Sequence, residues 1–391
     1  MQTTTILEGE TSLVVPALSE PKMIPAFFNP KGKLVRDVSI VCYKAFADAI
    51  GRSDLTFVDA LTGTGARGIR VAKEVNTCSK IFLNDVNSAA LGLASESAEI
   101  NGIKEKCVFS KSEACAFLLS RTQNAGERFD IVEIDPFGTP SDYVDCAIKA
   151  CNDGGLVSLT ATDSAVLCGV YPKVALRKYL GLPLRTDYCH EIGMRLIFGL
   201  LAQTAMRLET GIRPLFCHHD MHYFRVYCQV KVGNTYSREN EAEIGFVLHC
   251  FKCGKRSLIG RDEFFSTSTS ISKRERASLS TTLTCPNCGP GSRFAVGGPC
   301  WTGKIQSTDF VKKCAAASES LLFAPELDLP LYYDLTAISQ ELGTRTPRIA
   351  DTIEALRGLG FTASRTRLNP KAVRTEAPIG QLRDVVERLG R

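Results

Sequence analysis

Leu55-Thr56-Phe57-Val58-Asp59-Ala60-Leu61-Thr62-Gly63-Thr64-Gly65-Ala66-Arg67-Gly68 joins an apolar run, a glycine-rich turn and a helical segment. Leu55–Leu61 is rich in apolar and β-branched residues, as a buried strand is, and it ends in a glycine-rich turn. Ala66–Val75 then has helical spacing. Strand, glycine turn and helix form the opening unit of an open α/β sheet, and the glycines allow a tight turn and close approach of a ligand to the backbone. The text on either side keeps the same alternation. Lys80–Asp85 (KIFLND) is the next strand and Val86–Asn101 the next helix, and Lys106–Ser110, Phe129–Asp135 and Gly155–Thr160 are further strands with helical segments between them. This order predicts a doubly wound, mainly parallel sheet.

The end of the sheet narrows the choice. Tyr188–Leu208 is a long helical pattern, and Arg213–His219 and His222–Val232 are β-rich runs separated by Asp220-Met221. A terminal hairpin adds antiparallel strands at one edge, the usual ending of the Rossmann-like methyltransferase sheet rather than of a dehydrogenase, with any other α/β domain that closes on a hairpin as the plainer alternative. Asp85 ends the second strand about 20 residues past the turn, where an acid suits ribose hydroxyls. NAD and S-adenosylmethionine both carry such a ribose. Arg67 suits either a phosphate or a carboxylate, so this turn alone leaves both cofactors open.

Ile131-Val132-Glu133-Ile134-Asp135-Pro136-Phe137-Gly138 ends the fourth strand, at the carboxyl edge where such sheets hold their sites. A carboxylate there can accept from an exocyclic amine, proline stiffens the turn, and an aromatic face can stack on a base. Methylating a nucleobase amine needs this set. The nitrogen lone pair is delocalised into the ring, so Asp135 would orient the amine and take its proton. A capping role for Asp135 on the following helix is the plainer alternative.

The chain has 391 residues, 44% of them hydrophobic and 23% charged, which excludes a largely disordered chain and suits two or three domains. The net charge of +5 permits a nucleic-acid partner without requiring one. Met1–Thr5 has neither a basic start nor a long apolar run, and no stretch has membrane-span length, so a cytoplasmic protein without a membrane partner is expected. Of sixteen cysteines, Cys42, Cys115, Cys146, Cys151, Cys168 and Cys228 sit in apolar stretches and read as isolated packing thiols, and Cys300 and Cys314 likewise. Cys250-Phe251-Lys252-Cys253 and Cys285-Pro286-Asn287-Cys288 are different. Two Cys-x-x-Cys knuckles predict a four-thiolate zinc site, with a 31-residue spacer that must bulge out.

Residues 1–50 form a lead-in, with two short strands around Glu8-Gly9-Glu10 and a helix from Arg36 to Ile50. Residues 51–235 form the catalytic sheet, and residues 236–391 a C-terminal region that carries the knuckles (250–288) and a small α+β end (330–391). That end reads helix, turn, helix, basic strand, a winged-helix-like pattern. Ser/Thr-rich stretches with Lys273-Arg274-Glu275-Arg276 lie between the knuckles. His218, His219 and His222 read as structural or solvated, and His190-Glu191 with Arg195 as a helix-face or domain contact. Lys173, Arg177, Lys178 and Arg185 offer a local basic run for phosphates.

Taken together, these segments resemble the tRNA guanosine-26 N2-dimethyltransferase family over nearly the whole chain. The carriers are Glu8-Gly9, Phe27-Phe28-Asn29-Pro30, Arg36-Asp37, Asp59–Arg70, Asn84-Asp85, Asp135–Pro140, Thr162-Asp163, Cys168–Pro172, His190-Glu191 with Arg195, the knuckles and Gly298–Gly303. The resemblance implies S-adenosylmethionine as methyl donor and the N2 amine of a tRNA guanosine as acceptor, with tRNA as the partner and no obligate protein partner. It implies Asp135 as catalytic acid, with Phe27 and Phe137 as stacking faces for a flipped guanine. It implies Arg36, Gly63, Arg67 and Asp85 on the cofactor, with Arg36 and Arg67 toward its carboxylate, and Glu113 and Ala114 on the adenine side. The chain has Glu113 where the family often has Asp, Thr62-Gly63-Thr64 in place of a Ser-Ala-rich turn, and a longer knuckle spacing. The competing readings are a methyltransferase for free nucleotides or protein, a non-catalytic RNA-binding protein on a degenerate scaffold, and an NAD dehydrogenase. The knuckles, the paired Asp85 and Asp135, and the terminal hairpin argue against them in that order.

Overall fold

A computed structural model describes residues 1–17, 25–124, 126–268, 283–289, 292, 294–324 and 326–391. Most of the Ser/Thr-rich and basic stretch between the knuckles lies outside the described residues. Strands β1 (Thr3–Glu8) and β2 (Thr11–Pro16) form the opening hairpin, and α1 (Lys33–Ile50) follows. The alternating unit then runs β3 (Leu55–Asp59), α2 (Ala66–Glu74), β4 (Cys78–Asn84), α3 (Ser88–Ile100), β5 (Cys107–Ser110), α4 (Ala114–Asn124) and β6 (Phe129–Ile134). It continues through α5 (Val144–Ala150), β7 (Cys151–Ala161), the short α6 (Ser164–Leu167) and α7 (Pro172–Tyr179), and the long α8 (Cys189–Met206). The hairpin of β8 (Thr210–Asp220) and β9 (Tyr223–Val232) closes the sheet.

The seven strands are ordered β5-β4-β3-β6-β7-β9-β8. The first five are parallel, and β9 runs antiparallel to both β7 and β8. The order reverses between β3 and β6, which opens a crevice at their carboxyl ends, where Asp59 and Asp135 sit. Both faces of the parallel strands are covered by helices, which is why every residue of β6 is buried, Asp130 and Glu133 included. Apolar residues cannot complete such a strand's polar tasks, so these two acids must find partners inside the fold.

Beyond the sheet come α9 (Asn234–Ala242), β10 (Ile244–His249), β11 (Arg256–Gly260), α10 (Arg261–Ser268), β12 (Ala295–Trp301) and α11 (Thr308–Ala317). Strands β11-β10-β12 make a second, antiparallel sheet. The last part has its own small core: β13 (Tyr333–Asp334), α12 (Leu335–Leu342), α13 (Ile349–Gly358), β14 (Ala363–Arg365), β15 (Ala372–Thr375) and α14 (Ile379–Gly390), with strands ordered β13-β15-β14. Asp334 caps α12 by accepting from the Thr336 and Ala337 amides, and Gly343 ends it in the left-handed conformation.

Helix α8 joins these parts. Gly199 lets it lie against β12, because a Cβ there would come within 3.0 Å of the Cys300 Cα. Glu191 accepts from Arg195 on its own helix, from the Leu331 amide and from Arg374 of β15 at 2.7 Å. The Arg195 guanidinium in turn donates to the Trp301 and Gly303 carbonyls. His190-Glu191 with Arg195 is thus partly a contact between chain regions, as its sequence reading has it.

Cys115 and Cys146 are joined in a disulfide, with Cα atoms 5.4 Å apart, rather than standing as isolated packing thiols. Cys115 lies in the first turn of α4 and Cys146 in α5, and these crossover helices pack side by side. A partner 31 positions away becomes visible only once the helices dock. Cys42, Cys151, Cys228, Cys300 and Cys314 are free and buried, as expected. Among the described residues no helix is long and apolar enough to cross a membrane.

Candidate active site

The glycine turn holds its shape by backbone geometry. Gly63 and Gly65 have φ of +53° and +78°, a region that strains any residue with a Cβ. A Cβ on Gly65 would also meet the Ala94 Cβ at 2.6 Å, whereas one on Gly63 would meet no atom within 4 Å. The turn is therefore packed beneath and open above. Gly65→Ala is expected to cost about 2–4 kcal/mol from left-handed strain and overpacking together. Its melting temperature should drop, and cofactor affinity should fall with it. An unchanged melting temperature would show that the turn tolerates a side chain.

Asp85 anchors the turn from β4's end. Its two carboxylate oxygens accept one backbone N–H each, from Gly63 at 2.8 Å and Asn87 at 2.9 Å. The half-buried carboxylate keeps further lone pairs toward the crevice. Asn84 donates to the Ala60 and Ser112 carbonyls, tying the ends of three strands together. Asn87 caps α3 and also donates to the Pro25 carbonyl at 2.6 Å, bringing the 25–30 segment to the crevice.

A buried polar hub lies under the crevice floor. Glu133 accepts from both terminal nitrogens of Arg225, from Arg67, from Ser158 and from Tyr43. Glu133, Arg225 and Tyr43 have no exposed surface. Burial alone would push the Glu133 carboxyl up, but Arg225 and Arg67 outweigh it and hold it at about 2. Asp59, buried next to Glu133, is pushed the other way, to about 7. Arg67 reaches past Glu133, and the same Nη1 donates to Asp135 Oδ2 at 2.7 Å. Asp135 keeps a third of its side chain exposed. The hub thus fixes one edge of the Asp135 carboxylate and leaves the rest facing the crevice.

Phe137 is 84% exposed, an unusual state for so large an apolar side chain three residues from the strand end. Its ring lies 5.7 Å from that of Phe27, centroid to centroid. Gly138 takes φ +84°, and its amide donates to Thr162 Oγ1, which latches the loop to the residue after β7. The loop is closed further by Tyr179, whose hydroxyl donates to Asp163 at 2.6 Å. The structure therefore brings together Asp135, the rings of Phe27 and Phe137, and Asp85 along one carboxyl edge.

A family model for N2,N2-dimethylguanosine tRNA methyltransferases matches residues 7–387. The chain belongs to that family. It is 33% identical over 400 residues to the tRNA (guanine(26)-N(2))-dimethyltransferase of Methanothermobacter thermautotrophicus, covering 98% of this chain and 99% of the relative. To the protein of the same name from Methanosarcina mazei it is 34% identical over 406 residues, covering 98% of each chain. Among solved structures it is similar to Trm1 from Pyrococcus horikoshii, solved in complex with S-adenosyl-L-methionine, with a TM-score of 0.80 and 29% identity over 98% of this chain and all of that one.

Against the family expectation, two arginines and one acid are engaged differently. Arg36 and Arg67 are expected at a cofactor carboxylate. In the structure Arg36 makes a bidentate pair with the buried Glu8 and also donates to the Asn29 carbonyl. It straps the opening hairpin to the segment that carries Phe27. Arg67 is held between Glu133 and Asp135. The Glu113 carboxylate accepts from the Cys115 and Ala116 amides and so caps α4, while Ala114 is buried behind it. Sequence reading gave no role to Glu133, Arg225 or Tyr43. The signals were a glutamate inside the apolar run Ile131–Ile134 and an arginine inside Tyr223–Val230, each too polar for its position unless paired. Tyr223 was missed too, and its buried hydroxyl has no hydrogen-bond partner among the described residues.

Proposed function

We propose that this methyltransferase carries methyl groups from S-adenosylmethionine to the exocyclic N2 of guanosine 26 in tRNA. The observation that carries the reading is Asp135, fixed by Arg67, next to the Phe27–Phe137 pair and on the same edge as the Asp85 turn. S-adenosylmethionine would supply an electrophilic methyl group. Asp85 would accept from its ribose hydroxyls, and the open space above Gly63 would admit it. Glu113 already caps α4 and Ala114 is buried, so the adenine would meet the backbone at that helix start. Asp135 would accept from the N2 amine, align it and take up its proton as the new C–N bond forms. Phe137 and Phe27 would offer stacking faces to the extruded guanine. Arg36 would act through the strap it makes to Asn29, and Arg67 through Asp135.

The C-terminal region would supply the grip on tRNA. Four sulfurs, of Cys250, Cys253, Cys285 and Cys288, lie within 4.8 Å of one another, and their cross pairs are 3.9 and 3.6 Å apart. A tetrahedral zinc with Zn–S near 2.3 Å has sulfur-to-sulfur edges of about 3.8 Å, so the quartet fits a structural zinc ion. The winged-helix-like end (330–391) and the knuckles face each other across a cleft of about 600 Å³ whose lining includes Arg185, Lys252, Arg256 and Arg383. Arg256 is paired with Asp187 and Arg383 with Glu341, so Arg185 and Lys252, with exposed Lys173 and Arg177, are the cations that suit a phosphate backbone. The cytoplasm, where tRNA is available, is the expected place of action.

Mapping by nuclease digestion and mass spectrometry tests the position. A transcript with guanosine at position 26 should gain methyl groups there, and one with adenosine at that position should gain none. Methylation that moves elsewhere or ignores the substitution would overturn the assignment of guanosine 26.

A further inference from the structure

Two sequence features have no part in methyl transfer: Cys168-Gly169, after α6, and Cys189-His190, opening α8. The fold brings them together. At Gly169 the chain takes φ +88° and lies so close to the next strap that a Cβ would come within 3.1 Å of the Arg185 amide nitrogen. Cys168 is thereby folded back onto the first turn of α8. The sulfurs of Cys168 and Cys189 and a ring nitrogen of His190 all lie within 4.8 Å of one another.

The imidazole is prepared on both sides. His190 Nδ1 is buried and has no hydrogen-bond partner among the described residues. Elsewhere on the ring the Leu368 backbone accepts a hydrogen bond, the arrangement that orients metal-bound histidines. His219 stacks on the ring at 3.8 Å and restricts its rotation. Two sulfurs and one imidazole are a soft donor set, which favours zinc-class ions over magnesium or calcium.

We propose that Cys168, Cys189 and His190 form a second metal site, taking one zinc-class divalent ion with water in the fourth position. Binding deprotonates the thiols and releases those protons to solvent. The site clips the segment 168–188 to α8. That segment carries Lys173, Arg177 and Arg185, and Tyr179, which holds Asp163 beside the catalytic loop. Metal at this position fixes one wall of the crevice. Loss of the ion is therefore expected to raise KM for tRNA several-fold and to leave S-adenosylmethionine affinity unchanged.

The existence of the site does not rest on the methyl-transfer reading, and metal counting tests it without activity. The full chain, loaded with zinc under reducing conditions and freed of excess by gel filtration, should hold about two ions per chain by elemental mass spectrometry. Cys168→Ser/Cys189→Ser should hold one, as should the milder His190→Gln. Cys250→Ser/Cys285→Ser, which removes the quartet, should also hold one. When that variant is loaded with cobalt(II), it should show sulfur-to-metal charge-transfer absorption that disappears on adding His190→Gln. Wild-type protein with one ion, lost entirely with the quartet, would overturn the proposal. So would peptide mapping of the zinc-loaded chain that finds Cys168 and Cys189 joined as a disulfide.

Discussion

Asp135→Asn is expected to lower the rate of tRNA methylation by roughly 10²–10⁴-fold, the range a positioned general base contributes. S-adenosylmethionine affinity should stay within a few-fold of wild type, because Asp135 lies across the crevice from the Asp85 turn. Asparagine keeps the shape and still accepts from Arg67, so the hub beneath should survive. The amide cannot take up the amine proton, and single-turnover rates should show the loss directly. Cofactor affinity by calorimetry and methyl transfer at saturating tRNA separate the two effects. Activity within ten-fold of wild type would remove Asp135 from its role.

The second large effect is expected at Glu133, which touches no substrate. Glu133→Ala leaves Arg225 buried without its bidentate partner and Arg67 with Asp135 alone. Removing one side of a buried ion pair costs about 3–5 kcal/mol, because the remaining charge stays desolvated. Denaturant unfolding should show that loss, and methylation should fall as Arg67 shifts under Asp135. A paired Glu133→Leu/Arg225→Met variant should recover much of the stability, since apolar replacement of a whole buried pair is often neutral. A single variant that loses under about 1 kcal/mol would mean the hub contributes little more than an exposed ion pair.

Two buried glutamates, Glu133 in this hub and Glu191 on α8, set the acid limit of the fold. Glu133 and Glu191 are each held at about 2, against an ordinary value of 4.5. Between those values the unfolded chain binds protons that the folded chain does not. Their contribution is complete above pH 4.5 and is lost as pH falls toward 2. Acid unfolding should accordingly steepen in that window, and Glu133→Gln should flatten its share of the slope.

Much of this was legible in the sequence because the parallel strands are short apolar runs bounded by turns. Leu55–Asp59, Phe129–Ile134 and the Thr210–Val232 hairpin stand where their patterns place them. The candidates Asp85, Asp135 and Phe137 could be read from a strand end and a chemical need, whereas Phe27, in the segment before α1, came from the family resemblance alone. What stayed hidden depends on packing between distant elements. Arg67 can point to a ligand or inward with equal local propensity, and only the buried Glu133 decides. Arg36 is captured by Glu8, 28 positions away and on another element. The Cys115–Cys146 bond and the meeting of Cys168 with Cys189 arise from neighbouring helices and loops. Periodicity along a single element carries no record of them.

Methyl transfer to guanosine N2 is read most directly by nucleoside mass spectrometry. Purified chain would be incubated with S-adenosylmethionine and an unmodified tRNA transcript, then the RNA digested to nucleosides. N2-methylguanosine or N2,N2-dimethylguanosine should form, dependent on the cofactor and roughly 10²–10⁴-fold more slowly with Asp135→Asn. No methylated guanosine across tRNA substrates, in protein shown to bind S-adenosylmethionine, would contradict methyl transfer to guanosine N2.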